Sequence, residues 1–193
     1  MVAGFHLIWT AYGWWLPNDP RGSSSHEIRI EKITNLGELH YGRKLVQPSG
    51  MEIKQFYDQA KDVVKHPLLA LEDKEIEIVA RSFSQVIEER RYTCYACAIM
   101  PDHIHVLSRK HRDHAETMIE NLQRASREEM IQVGRRASTH PVWGGPGWKV
   151  FLHTQQDFIR EINYIQQNPI KANRPSQTWS FVKDYDGWMP GQH

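Results

Sequence analysis

The chain has little of what would announce a membrane, secreted or strongly basic protein. Its 193 residues include only two cysteines, Cys94 and Cys97, too few for the disulfide framework of a small secreted domain. No apolar run approaches the roughly 20 residues that span a bilayer. The opening Met1-Val2-Ala3-Gly4-Phe5-His6 shows no basic segment leading into an apolar stretch and a cleavage site. A cytoplasmic location with no membrane partner is therefore expected. An excess of one charge is lacking too: 24 Lys and Arg stand against 23 Asp and Glu, so any nucleic-acid surface must be local. The Cys94/Cys97 spacing invites a redox or zinc reading, but no second cysteine pair exists to complete a zinc site. In the strand expected there, positions three apart face opposite sides, so the two are read as reduced, packed cysteines.

Length fits one domain over 1–193 with a sizeable core. Residues 5–12 are aromatic and β-branched and read as a first strand ending at Gly13. Residues 13–71 then turn irregular, with Pro17, Asn18, Asp19, Pro20 and Gly22 breaking any periodicity. This stretch reads as an insertion holding one short helix, which a Ser49-Gly50-Met51-Glu52 capping box opens and which extends towards Pro67. Ile76, Val79, Ala80, Phe83, Val86 and Ile87 form a helical stripe closed by Glu88 to Arg91. Strands follow over 92–99 and 103–108, joined by the turn Met100-Pro101-Asp102. A second helix spans about 113–134, a fourth strand 149–153 and a third helix 155–167, which is expected to stop near Asn168 because Pro169 disfavours helical geometry before it. The order is strand, helix, strand, strand, helix, strand and an extra helix. It predicts an α+β class: a ferredoxin-like split β-α-β antiparallel sheet with an added C-terminal helix and a long insertion after the first strand.

His103 and His105 are the residues that most suggest chemistry. Side chains alternate along a strand, so the two imidazoles share a face while Ile104 and Val106 share the other. Two neighbouring imidazoles are part of an open metal site, although taken alone the pair is equally a solvated strand face. On the last helix, Tyr164 and Asn168 are four residues apart and share a helix face. A hydroxyl nucleophile and an amide oxygen would stand side by side there. Alternatively, Tyr164 is a packing aromatic beside Ile162 and Ile165, and Asn168 a helix-ending residue.

Met100-Pro101-Asp102-His103-Ile104-His105 resembles the HUH signature (His, hydrophobic, His) of the single-tyrosine transposases of the insertion-sequence-200 type. Tyr164-Ile165-Gln166-Gln167-Asn168-Pro169-Ile170-Lys171-Ala172 resembles the catalytic helix of their REP-associated branch. The first strand and the Trp148-to-Phe158 segment are similar to that family in order and spacing. The likeness runs from Phe5 to about Arg174, apart from the insertion. Within the insertion, Trp15-Leu16-Pro17-Asn18-Asp19-Pro20-Arg21-Gly22 is similar to a segment of one subgroup. The resemblance implies a metal-dependent single-stranded DNA endonuclease and strand transferase, with Tyr164 as nucleophile and a 5′-phosphotyrosine intermediate. It also implies hairpin-bearing single-stranded DNA as partner. Asn168 stands where the insertion-sequence branch usually carries glutamine, which departs from that branch's dimeric, cross-subunit site and favours a monomer.

The chemistry asks for these residue types. An unactivated tyrosine has a pKa near 10 and a phosphodiester repels nucleophiles, so a divalent cation that polarises the phosphate is needed. His103, His105 and the side-chain oxygen of Asn168 are the candidate metal ligands. Mixed nitrogen and oxygen ligation with open positions suits Mg2+ or Mn2+. Candidates for phosphate pairing are Arg109, Lys110, Arg112, Arg124, Arg127, Lys171 and Arg174. Trp143 and Trp148, with Trp14 and Trp15, are candidates for stacking on bases. Each of these is also an ordinary surface charge or a packing aromatic. Two other readings compete: a domesticated, non-cleaving nucleic-acid-binding or regulatory protein of the same fold, and an unrelated metal hydrolase with no need for Tyr164.

Overall fold

Alternation along Gly4–Thr10 (β1) sets Phe5, Leu7 and Trp9 on one face and His6, Ile8 and Thr10 on the other. In the computed structural model of the chain, every position is described except 24, 29, 30, 43, 192 and 193, and position 31 is described for its backbone alone. The insertion expected over 13–71 therefore includes four positions outside the described residues. The remaining strands are Cys94–Ile99 (β2), His103–Arg109 (β3) and Trp148–Leu152 (β4). They form one antiparallel sheet in the order β2-β3-β1-β4, the split β-α-β arrangement that the element order predicts. The expected strands are recovered within one or two residues.

Four helices are described: Gly50–Ala60 (α1), Asp73–Arg90 (α2), Ala115–Gln132 (α3) and Gln155–Lys171 (α4), with a 3-10 helix at Glu31–Leu36. The apolar stripes of α2 and α3 (Val79, Phe83; Met118, Leu122) bury Phe5, Leu7 and Trp9 of β1 and Ile104 and Val106 of β3 on one face of the sheet. Helix α4 covers the other face, where Phe158 and Ile165 pack on Leu107, Ala96, Ala98 and Leu152. A Thr154 capping box with Asp157 starts α4. The backbone N–H groups of His153 and Thr154, with the Arg160 guanidinium, hold the Asp157 carboxyl down at about 2. Among the described residues, no helix is long and apolar enough to cross a membrane.

Three local expectations are corrected. Helix α1 stops at Ala60 rather than near Pro67. Helix α4 continues through Pro169 to Lys171 instead of ending at Asn168. Pro169 is buried one turn beyond Ile165, so this apolar stripe keeps the last turn in place despite the missing N–H. A register shift in β2 between Cys94 and Ala96 puts Cys94 and Cys97 on the same face, both in the α2/α3 core, where simple alternation puts them on opposite faces. Both thiols are free and buried, and burial pushes Cys94 up to about 12 and Cys97 well above the ordinary thiol range. They are inert packing groups.

Gly4 fixes how closely α4 approaches the sheet. A Cβ at this position would lie 2.4 Å from a Phe158 ring carbon and 2.7 Å from the Ser108 carbonyl oxygen. Phe158 is fully buried and stacked on Tyr185, so neither neighbour can retreat. Gly4→Ala is expected to lower stability by about 1–3 kcal/mol through overpacking, read as a lower urea midpoint. An unchanged midpoint would show that α4 rests on the sheet more loosely than this.

Candidate functional site

The sheet face under α4 carries three histidines. His6 lies opposite Leu107 and His105 opposite Ile8, so the two imidazoles are diagonal neighbours on adjacent strands. His6 Nε2 is 2.8 Å from His105 Nδ1, and the His105 ring centre is 4.9 Å from that of His103. From above, α4 presents Glu161, Tyr164 and Asn168, spaced i, i+3 and i+7 along one helix face. Glu161 Oε2 is 2.9 Å from His6 Nδ1. The Tyr164 ring meets His105 and His6 edge-on at 5.5 and 6.0 Å. Tyr164 remains 45% exposed, so its hydroxyl-bearing ring is both held at the histidines and open to a substrate. The Asn168 amide nitrogen donates to the Tyr164 carbonyl at 2.8 Å, which leaves the amide oxygen as the end available to a ligand. The Lys171 ammonium sits 5.8 Å from the centre of the Tyr164 ring.

Burial sets the protonation of this cluster. His105 is 4% exposed, and burial, with the neighbouring His103 and His6, pushes its pKa well below the ordinary imidazole value. Burial lowers His6 as well, outweighing the opposing pull of Glu161. Both rings are neutral at pH 7. His103 Nδ1 is 2.7 Å from Asp102 Oδ1. Burial alone would raise the Asp102 carboxyl, but the hydrogen bond and charge of His103 hold it below the usual carboxylate range.

A divalent cation fits the donor chemistry here in one way only. Among the described residues no group of three or more His, Cys, Asp or Glu side chains is disposed to hold a metal ion. The nearby carboxylates, Asp102 and Glu161, are spent on histidine Nδ1 atoms. What is left is Nε2 of His103 and of His105, neither of which makes a hydrogen bond among the described residues, with the Asn168 amide oxygen one turn beyond Tyr164. Two imidazoles and an amide would leave positions open for other oxygen ligands, a mixed donor set that suits Mg2+ or Mn2+.

The candidate DNA contacts do not all lie on this face. Arg109, the last residue of β3, shares the histidine face but lies on the order of 20 Å along the strand from His103, stacked 3.4 Å over Trp188, and Lys110 and Arg112 follow it in the chain. Arg124 and Arg127 belong to α3, on the opposite side of the sheet, and Arg127 donates to the Ser138 carbonyl. Trp143 packs edge-on against Trp9 with its N–H on Gln123, a core role. Arg174 pairs with Asp73. Trp148 and Lys171 do lie on the α4 side. In register, Ala98, His105, Ile8 and Trp148 form one row across the sheet, so the exposed Trp148 lies on the order of 10 Å from His105.

The segment between β1 and α2 brings another aromatic beside His103. Trp15 has a left-handed φ of 55°, a costly conformation for a bulky residue. Its ring is 41% exposed and stands 6.5 Å from that of His103. Its backbone N–H donates to Tyr57 Oη and its indole N–H to the Gly22 carbonyl. The Arg21 guanidinium lies 4.5 Å from the ring centre while its fork grips the buried Asp19 carboxylate. Tyr57 Oη in turn donates to Asp19.

Sequence reasoning missed His6, Glu161 and Asp102. A lone histidine between Phe5 and Leu7, and a glutamate three residues before Tyr164 on its helix face, were the available signals.

No family model matches the chain, and no curated protein matches it. Among solved structures, a REP-associated tyrosine transposase bound to a REP hairpin is similar at 12% identity and a TM-score of 0.47, over 94% of this chain and 76% of that one. A protein from Deinococcus radiodurans R1, provisionally described as a transposase, is similar at 13% identity and a TM-score of 0.36, over 91% of this chain and 94% of that one. The first belongs to the family whose motifs the sequence resembles. Neither likeness carries the reading of the site, which rests on its own geometry.

The depressed histidines make stability depend on pH. In the unfolded chain His6 and His105 titrate near 6.5. Above that pH neither state binds the protons and the stability is fully present; below it the unfolded chain takes up protons that the folded state refuses, and stability is lost. In EDTA, the urea midpoint is expected to fall as pH drops from 7.5 to 5, and His105→Gln to flatten that dependence. Equal slopes for the two proteins would contradict the buried, neutral state of His105.

Proposed function

We propose that the protein is a metal-dependent single-stranded DNA endonuclease and strand transferase, a transposase acting through Tyr164. The observation that carries this reading is that one chain brings a partly exposed tyrosine edge-on to a pair of histidines whose Nδ1 atoms are already engaged. His103, His105 and Asn168 would hold Mg2+ or Mn2+, which when bound polarises the scissile phosphate and offsets its charge. Tyr164 Oη loses its proton and forms a bond to phosphorus as the bond from phosphorus to the 3′ oxygen breaks. That oxygen leaves as a hydroxyl, and the DNA 5′ end becomes a phosphotyrosine. One phosphodiester-type bond replaces another, so neither water nor a nucleotide energy source is consumed, and attack by a 3′-hydroxyl rejoins the strand. Because His105 and Tyr164 meet within one chain, the reading needs no second subunit and favours a monomer.

Around the centre, Trp15 and Trp148 offer ring faces for unpaired bases and Lys171 a charge for a phosphate. Their position on the α4 side supports hairpin-bearing single-stranded DNA as substrate, with its unpaired segment across this face. The basic residues after β3 and on α3 are assigned to other surfaces.

Labelled hairpin-bearing single-stranded DNA incubated with Mn2+ or Mg2+ is expected to give a protein-DNA adduct on denaturing gels. Tyr164→Phe should abolish it, and His103→Ala and His105→Ala should each lower cleavage on the order of 100-fold or more. An adduct formed equally well by Tyr164→Phe removes Tyr164 as nucleophile and leaves a binding protein or a different hydrolase. Trp15→Ala and Trp148→Ala are each expected to weaken single-stranded DNA binding by about 1–3 kcal/mol, whereas Arg124→Ala and Arg127→Ala leave it unchanged. Fluorescence anisotropy separates these outcomes, and the reverse pattern would place the DNA on the α3 side.

A further inference from the structure

We propose that Glu161 and His6 are positioning residues that fix the His105 imidazole in orientation and in the tautomer whose Nε2 is bare. The inference rests on the reading of His105 as a metal ligand. It is carried by a three-member chain of contacts, Glu161 Oε2 to His6 Nδ1 at 2.9 Å and His6 Nε2 to His105 Nδ1 at 2.8 Å.

The polarity of that chain follows from its carboxylate end. An ionised carboxylate only accepts hydrogen bonds, so His6 must carry its proton on Nδ1. Neutral His6 then has a lone pair on Nε2 and accepts from Nδ1–H of His105. His105 is left with its own lone pair on Nε2, the state in which an imidazole binds a metal. A chain ended by a donor instead of Glu161 would run the other way and cap His105 Nε2 with a proton.

His6 has no comparable use in packing. It is 2% exposed, and its cross-strand partners on β3 and β4 are Leu107 and Val150. An aliphatic side chain would fill the position at no cost in desolvation, whereas a buried imidazole needs both ring nitrogens satisfied. The fold meets that need with one group from the facing helix and one from the next strand. His103 reaches the same state independently, because Asp102 engages its Nδ1 from the adjacent position in the turn. Two carboxylates on different elements thus leave the same nitrogen free on both histidines. Glu161 also lies one turn before Tyr164 on α4, so the contact that orients His105 ties down the helix bearing the nucleophile.

The test begins with the metal-free wild-type protein in EDTA at pH 8, using long-range 15N–1H correlation spectra of the histidine rings. His6, His103 and His105 are each expected to carry the proton on Nδ1. His6→Leu should release His105 into a mixture of tautomers, and His6→Gln, whose side-chain oxygen still accepts from His105, should retain the wild-type pattern. Titration with Mn2+ alone should show affinity falling roughly 10- to 100-fold in His6→Leu and Glu161→Leu and recovering in His6→Gln. A wild-type His105 protonated on Nε2 overturns the proposal without recourse to any variant. So does a His6→Leu protein with unchanged tautomer and unchanged Mn2+ affinity. The expected tautomers in a wild-type protein that binds no Mn2+ would uphold the positioning of His105 and overturn the metal reading instead.

Discussion

The two central strands, β1 and β3, have unlike faces, and every other placement in the molecule follows from that constraint. A strand repeats every two residues, so Phe5, Leu7, Trp9, Ile104 and Val106 are committed to the core under α2 and α3. His6, His103 and His105 are thereby turned to the opposite side. Antiparallel pairing in the observed register brings β1 and β3 together so that three imidazoles from two distant stretches of chain share one patch. A slip of one residue in either strand would turn its histidines into the α2/α3 core and its present core residues towards α4.

Helix α4 covers that patch with two adjacent stripes. One is apolar, with Phe158, Ile165 and Pro169 against the sheet; the other carries Glu161, Tyr164 and Asn168. The apolar stripe fixes the height of the helix, with Gly4 allowing Phe158 its close approach. Packing of the first stripe therefore places the second over the histidines with no covalent or metal link required. Buried Pro169 extends the helix to Lys171, which brings an ammonium group to the tyrosine.

In a near-neutral chain any basic or aromatic surface has to be local. In the structure Trp15, Trp148, Tyr164 and Lys171 gather on the α4 side, while most of the described arginines make contacts within the protein. The segment between β1 and α2 contributes through a local network. Arg21 and Tyr57 both donate to the buried Asp19 carboxylate, and together they hold Trp15 in a left-handed conformation beside His103. The strain at Trp15 is offset by that network, as expected where an exposed side chain is kept at a site instead of packed away.

The element order, the strand faces of His103 and His105, and the shared helix face of Tyr164 and Asn168 could be read from the chain, because period-two and period-3.6 patterns are local properties of sequence. Composition likewise indicated that no global basic surface exists. Other features depended on contacts between distant residues. The β2 register shift that turned Cys94 and Cys97 to one side, and the packing that carried α4 past Pro169, override local rules through tertiary contacts. His6 and Glu161 are 155 positions apart in sequence, and no local pattern says that the two meet. Which arginines face the site also depended on which layer each helix joins. The sequence by itself determined which residues share a face; the tertiary structure decided which faces meet, because that depends on sheet order and helix height, set by the burial of the whole core.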